Sequence, residues 1–240
     1  MAGETARQIP RFVIFGSGRV GSRLLVDMLN SHPYIFCEYN MVLGGCPDPN
    51  DWLASRVSLA RQGGARAYGI RLLVPQLADN ANVPDIHGLL KSLESDGWQI
   101  IHLCRSNPVR VVISYVHAAR KGFHLRAGEG AWQYEPMTLN AEELSNWIEV
   151  VSDWMARERD SLQGISVRKL VYERDLATER HQQITVNRIS AWLGMQTATA
   201  RKNLRRQIPD RQLSELIVNY DEVRFLLDRF SEAFPELKTG

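Results

Sequence analysis

The segment Phe12-Val13-Ile14-Phe15-Gly16-Ser17-Gly18-Arg19-Val20-Gly21-Ser22-Arg23-Leu24-Leu25 constrains this chain more than any other. Four consecutive apolar residues read as a strand covered on both faces, the kind found inside parallel sheets. Three glycines follow within six residues, and the helical spacing of Leu24, Leu25, Met28 and Leu29 begins at once. Ser31-His32-Pro33 stops that helix. A buried strand, a glycine turn and a helix in this order gather backbone N–H groups at a helix N-terminus. The positive partial charge there favours an anion.

Two phosphate-binding outlines fit the same letters. Gly16-x-Gly18-x-x-Gly21 matches the dinucleotide fingerprint, and Glu38 stands about where a ribose-binding acid is expected, roughly 20 residues on. A nicotinamide-dependent oxidoreductase would use the loop in that way. Gly16-x-x-x-x-Gly21 equally has the outline of a P-loop, with two parts missing. Ser22 takes the place of the Walker lysine, and Arg23 that of the magnesium-ligating Ser or Thr. Magnesium-dependent ATP hydrolysis is thereby disfavoured. Arg19, inside the loop, suggests a donor whose charge is met by protein groups alone.

Along the rest of the chain short apolar runs alternate with amphipathic stretches, the pattern of an α/β protein with a mostly parallel sheet. Strands are expected at Tyr34–Cys37, Tyr68–Val74, Trp98–Cys104 and Val167–Tyr172. Helices are expected at His87–Ser95, Pro108–Arg120 and Ala141–Leu162, with mostly helix thereafter. Met41–Asn50 and Lys121–Pro136 read as loops, the second long enough to be a binding segment. With 240 residues, 44% of them hydrophobic, the chain suits one domain over 1–240.

Twenty-nine basic residues stand against twenty-seven acidic, a net charge of +2, which argues against nucleic acid as a partner held by bulk charge. No apolar run approaches the roughly 20 residues of a membrane span. The first residues lack the apolar core of a secretory signal. Cys37, Cys46 and Cys104 form no CxxC pair, so free thiols in a reducing cytoplasm are expected. No HExxH motif is present, and no metal is expected.

Gly18-Arg19-Val20-Gly21-Ser22-Arg23-Leu24-Leu25, followed by Leu29-Asn30-Ser31-His32-Pro33, resembles the phosphosulfate-binding loop of the sulfotransferases. The likeness is to their bacterial and carbohydrate-acting branch. A second segment breaks the tie between the two outlines. Ile100-Ile101-His102-Leu103-Cys104-Arg105-Ser106-Asn107-Pro108, ending with Ser114, resembles that family's 3′-phosphate motif: an Arg at a strand end, a Pro three residues on and a Ser nine after the Arg. Val171-Tyr172-Glu173-Arg174-Asp175-Leu176 is similar to its Tyr-Glu-Asp-Leu, with Arg174 inserted. Ile189–Gly194 and Leu216–Val223 resemble its later helix ends. The resemblance departs at Val20, where a hydroxyl residue is usual.

The resemblance implies a P-loop NTPase-like three-layer α/β fold, a central mostly parallel sheet flanked by helices. It implies a sulfuryl donor, 3′-phosphoadenosine 5′-phosphosulfate (PAPS), which leaves as 3′,5′-adenosine bisphosphate (PAP). The acceptor would be a hydroxyl, or an amine, on a saccharide or other small molecule. Ser17, Gly18, Arg19, Val20, Gly21, Ser22 and Arg23 would hold the 5′-phosphosulfate, with Arg19 stabilising the leaving phosphate oxygen. Arg105 and Ser114 would hold the 3′-phosphate, and Lys202 and Arg205, in a late basic run, would close over the nucleotide. Glu38, ending the second strand, is the expected general base, provided that strand neighbours the first. His117 and His124 are its substitutes. His32 and His102 read as structural.

Overall fold

The computed structural model describes residues 9–41, 48–78, 83–121, 134–202, 208 and 210–235. Strands β1 (Arg11–Gly16), β2 (Ile35–Glu38), β3 (Ala67–Leu73), β4 (Gln99–Cys104) and β5 (Val167–Val171) form one sheet. Every pair in it is parallel, in the order β2-β3-β1-β4-β5. The helices are α1 (Ser22–Asn30), α2 (Pro49–Gln62), α3 (Val74–Ala78), α4 (Ile86–Ser95) and α5 (Pro108–Lys121). They continue with α6 (Ala141–Ser161), α7 (Tyr172–Asp175), α8 (Glu179–Trp192), α9 (Leu213–Leu216) and α10 (Tyr220–Glu232).

Alternation along β1 explains why its apolar run is unbroken. Phe12 and Ile14 enter a core shared with α1, α5, α8 and α10, while Val13 and Phe15 enter the opposite core, shared with α2, α3 and α4. Both faces of the strand are dry, so neither tolerates a polar residue. The protein is thus α/β, an all-parallel five-stranded sheet with helices on both sides.

The expected elements fall within a residue or two of the observed ones, and helices α2 and α3 are additions. Helix α2 covers part of what reads as loop. Its Pro-Asp-Pro composition looks like turn chemistry, yet Asp48 is an N-cap, accepting from Asn50 N at 2.7 Å, and Pro49 opens the first turn. Only Leu53 and Ala60 of that helix are buried, so its apolar periodicity is faint. The last residue expected in β5, Tyr172, opens α7 instead. Most of the long loop, 122–133, lies outside the described residues.

The strand order places the glycine segment. β1 is central, and the chain leaves it through α1 toward β2 at one edge. It later crosses β1, from β3 through α3 and α4, to β4 on the other side. The connections diverge at the carboxyl end of β1, and open parallel sheets bind ligands at such points.

Candidate functional site

The turn after β1 is built on left-handed backbone. Gly18 has φ +90°, Arg19 +53° and Gly21 +88°, and Arg19 is the one described non-glycine residue with positive φ. Gly21 is the N-cap of α1 and has no side chain to offer, and the first turn carries no acidic residue. By contrast, Asp48, Asp85, Asn140 and Thr178 cap α2, α4, α6 and α8 with their side chains. The opening N–H groups of α1 are therefore left to a ligand or to water.

Close packing forces the glycines as well. A Cβ on Gly18 would lie 2.3 Å from Tyr115 Oη, and one on Gly21 would lie 2.5 Å from the Tyr172 ring. Tyr115, on α5, donates from Oη to the Ser17 carbonyl at 2.9 Å. The loop is thus clamped between α5 and α7.

Arg19 turns back over that clamp, and its Nε donates to Ser114 Oγ at 2.9 Å. The loop arginine and the serine of the second motif are brought into direct contact. Burial pulls the Arg19 guanidinium below its ordinary pKa; Tyr115 opposes this, while the nearby positive charges of Arg105 and Arg23 add to it. Three guanidiniums converge around one loop, a field that an anion would relieve.

Arg105 leaves β4 and is held on two sides. Its Nε donates to Glu173 Oε1 at 3.0 Å, and its guanidinium lies 4.6 Å from the centre of the Tyr172 ring. Ser106 N donates to the other oxygen of Glu173 at 2.9 Å. The Tyr-Glu-Arg-Asp-Leu motif therefore supports the site. Tyr172 packs on Gly21 and Arg105, Glu173 aims Arg105, and Leu176 also packs on Gly21. Asp175 accepts from Val171 N at 2.7 Å and pairs with Arg188 at 2.8 Å, fixing the turn that presents the first two.

The other expected residues are distributed unevenly. Ser17 and Ser22 are buried within the loop and the first turn of α1. Val20 is buried in the apolar core, so only its backbone can serve a ligand. A hydroxyl there would have faced hydrocarbon. Arg23 lies with its guanidinium 5.5 Å from the centre of the Tyr39 ring. Lys202 Nζ reaches Gln182 at 3.3 Å and Glu179 at 3.3 Å, both on α8, and does not touch the glycine loop. Arg205 and His124 lie outside the described residues. His117 is buried on α5 and stacks on Tyr134, with ring centres 5.5 Å apart.

Glu38 stands apart from the loop. β3 lies between β2 and β1, so the adjacency on which its role as base depended is not met. At ordinary strand spacing the end of β2 is about 10 Å from that of β1. The carboxylate is turned toward α2, where Arg56 Nε donates to it at 2.6 Å. The same separation weakens the dinucleotide outline, whose ribose-binding acid ends a strand next to the first. His32 and His102 are engaged within the fold: His32 Nε2 meets the Gln196 carbonyl at 2.9 Å, and His102 Nε2 meets Glu158 at 2.5 Å.

One buried charge near the loop, outside the nucleotide-binding set, escapes sequence reasoning. Arg71, on β3 opposite Ile14 of β1, is buried on the face that carries α1. Its Nε donates to the Tyr39 carbonyl at 2.6 Å, and its Nη2 donates to Asn40 Oδ1. The signal that could have found it is an arginine inside the otherwise apolar run Tyr68–Val74. Among the described residues no three of His, Cys, Asp or Glu are grouped so as to hold a metal ion, and no helix is long and apolar enough to cross a membrane.

No protein-family model matches this chain, and no curated protein matches it significantly.

Proposed function

We propose that the protein is a sulfotransferase that moves a sulfuryl group from PAPS to a hydroxyl of a small or saccharide acceptor, on a P-loop-like fold. The observation that carries this reading is the contact of Arg19 with Ser114, at 2.9 Å. It unites the two segments that resemble phosphate motifs, beside a helix N-terminus without a side-chain cap. A bisphosphorylated nucleotide needs two anion sites of this kind, one for each phosphate.

In this reading the loop and the first turn of α1 hold the 5′-phosphosulfate through backbone N–H groups and Ser22. Arg19 neutralises charge that builds on the leaving phosphate oxygen, and it does so in a low-dielectric setting. Arg105, aimed by Glu173, and Ser114 hold the 3′-phosphate. The S–O bond to the phosphate breaks as the acceptor oxygen attacks sulfur in line, and the acceptor proton leaves to a base. Glu38 could take that proton only after leaving Arg56 and reaching past the end of β3. Its place favours a second reading, a nucleotide-binding protein without transfer.

Incubating the chain with PAPS and a panel of saccharide and phenolic acceptors, and following PAP release, tests the main reading. Release that depends on an acceptor supports it. Tight PAP binding with no release on any acceptor favours the second. Glu38→Gln that binds PAP and keeps full turnover removes Glu38 as the base.

A further inference from the structure

Among the described residues no carboxylate pairs with Arg71 to neutralise its positive charge. The residue is 9% exposed, and its bonding partners are a carbonyl, Tyr39 O, and a side-chain amide, Asn40. Neither carries charge, and Nη1 has no hydrogen-bond partner among the described residues. Gln76 Nε2 also donates to Asn40 Oδ1, at 2.9 Å, which fixes the amide and leaves Asn40 with its own donors. Burial, reinforced by the charge of Arg23, brings Arg71 down to about 10, so it stays protonated at neutral pH. A buried guanidinium without a carboxylate is costly, and natural sites retain one where a ligand supplies the anion.

The position of Arg71 indicates which anion. In the sheet order β3 lies on one side of β1 and β4 on the other. Arg105 and Ser114, on β4 and α5, claim the nucleotide end of a donor, and the loop claims its 5′ end. An attacking group must approach sulfur from the side opposite the leaving oxygen. With the nucleoside toward β4, that approach is from β3, where Arg71, Arg23 and Asn40 stand. We propose that Arg71, with Arg23 and Asn40, forms a subsite for a negatively charged group of the acceptor, a carboxylate being the best match to the planar guanidinium. The acceptor class narrows to acidic molecules, such as a uronic-acid saccharide. This rests on the proposed transferase reading for the donor's direction.

The test is calorimetric titration of the PAP-saturated full chain with glucuronate and with glucose. Wild type, Arg71→Gln and Asn40→Asp are compared, and the affinities for PAP and intact PAPS are measured for each. Asn40→Asp keeps the shape of the amide but sets a carboxylate on Arg71, so it blanks the charge without removing the arginine. The expected result is glucuronate bound at least tenfold more tightly than glucose by wild type, and no such preference in either variant. PAP and PAPS affinities should stay within about twofold. Equal binding of the two sugars by wild type overturns the proposal, and so does a preference that survives in Asn40→Asp. A tenfold loss of PAPS but not PAP affinity in Arg71→Gln also overturns it, because the anion is then the donor's own sulfonate. If wild type binds no PAP, the transferase reading fails by itself, and the two sugars titrated without nucleotide still decide the subsite.

Discussion

Arg19 and Ser114, separated by 95 residues in the chain, meet through a hydrogen bond of 2.9 Å. The bond lets α5 hold a loop arginine whose backbone, at φ +53°, is in a region that costs a residue with a Cβ roughly 1–2 kcal/mol. Ser114→Ala should leave the fold intact while removing one of the bonds that orient Arg19. Affinity for PAP is expected to fall about tenfold, in line with the loss of one hydrogen bond to a charged group. Isothermal titration of both proteins, with melting curves as the control for folding, measures it.

Gly18 and Tyr115 form a size-matched pair. Gly18→Ala adds a Cβ 2.3 Å from the phenol oxygen and forces it into left-handed backbone, so a loss of about 3 kcal/mol is expected. Combining it with Tyr115→Phe removes the atom in the way, since the next ring atom is 3.5 Å off. The double variant should therefore be more stable than the sum of the two single losses. Urea denaturation of all four proteins closes the cycle.

Arg105 is expected to reject lysine. Lysine has no Nε–H fork for Glu173 and no planar face for Tyr172, the two contacts that aim the arginine. Arg105→Lys should keep its stability to within about 1 kcal/mol. PAP binding should weaken more than tenfold, and its salt dependence should shrink little because the charge remains. Titrations at two ionic strengths separate these effects.

Acid stability should depend on Asp175. Burial acts to raise this carboxyl, but the Val171 N–H, Arg174 and Arg188 outweigh it and hold it below its ordinary value. A depressed carboxyl contributes stability that is complete above the unfolded value of about 4 and is lost as pH falls through the lower folded one. Asp175→Asn should be less stable at pH 7 by roughly 1–2 kcal/mol. Its stability should also fall less steeply than that of wild type below about pH 4. Denaturation midpoints across pH 2–7 give the comparison.

How much of this was readable from residues alone depends on which forces act locally. The strand, glycine loop and start of α1 were readable because burial on both faces and left-handed backbone each demand particular residues there. The spacing of nine residues from Arg105 to Ser114 was readable as a likeness to a motif. The coupling of Ser114 to Arg19 was not, because a contact across 95 residues leaves no periodicity. Glu38 was misplaced relative to the loop for a related reason. An apolar tetrad announces a strand but not its neighbour, and β3 takes the position beside β1. Glu173 looked like one letter of a supporting motif, and only folding shows it gripping Arg105 and Ser106 together. Arg71 is the residue the pattern should have flagged, a charge in mid-strand that no turn or helix face explains.

Ligand-induced stabilisation of the wild-type chain decides whether the loop and Arg105 together form a site for a bisphosphorylated nucleotide. Melting temperature is measured with PAP and with NAD, each over a hundredfold range of concentration. A specific ligand at about 100 times its dissociation constant adds roughly 2.7 kcal/mol. PAP is expected to raise the melting temperature progressively and NAD to leave it unchanged. A rise with NAD and none with PAP would contradict a bisphosphate site.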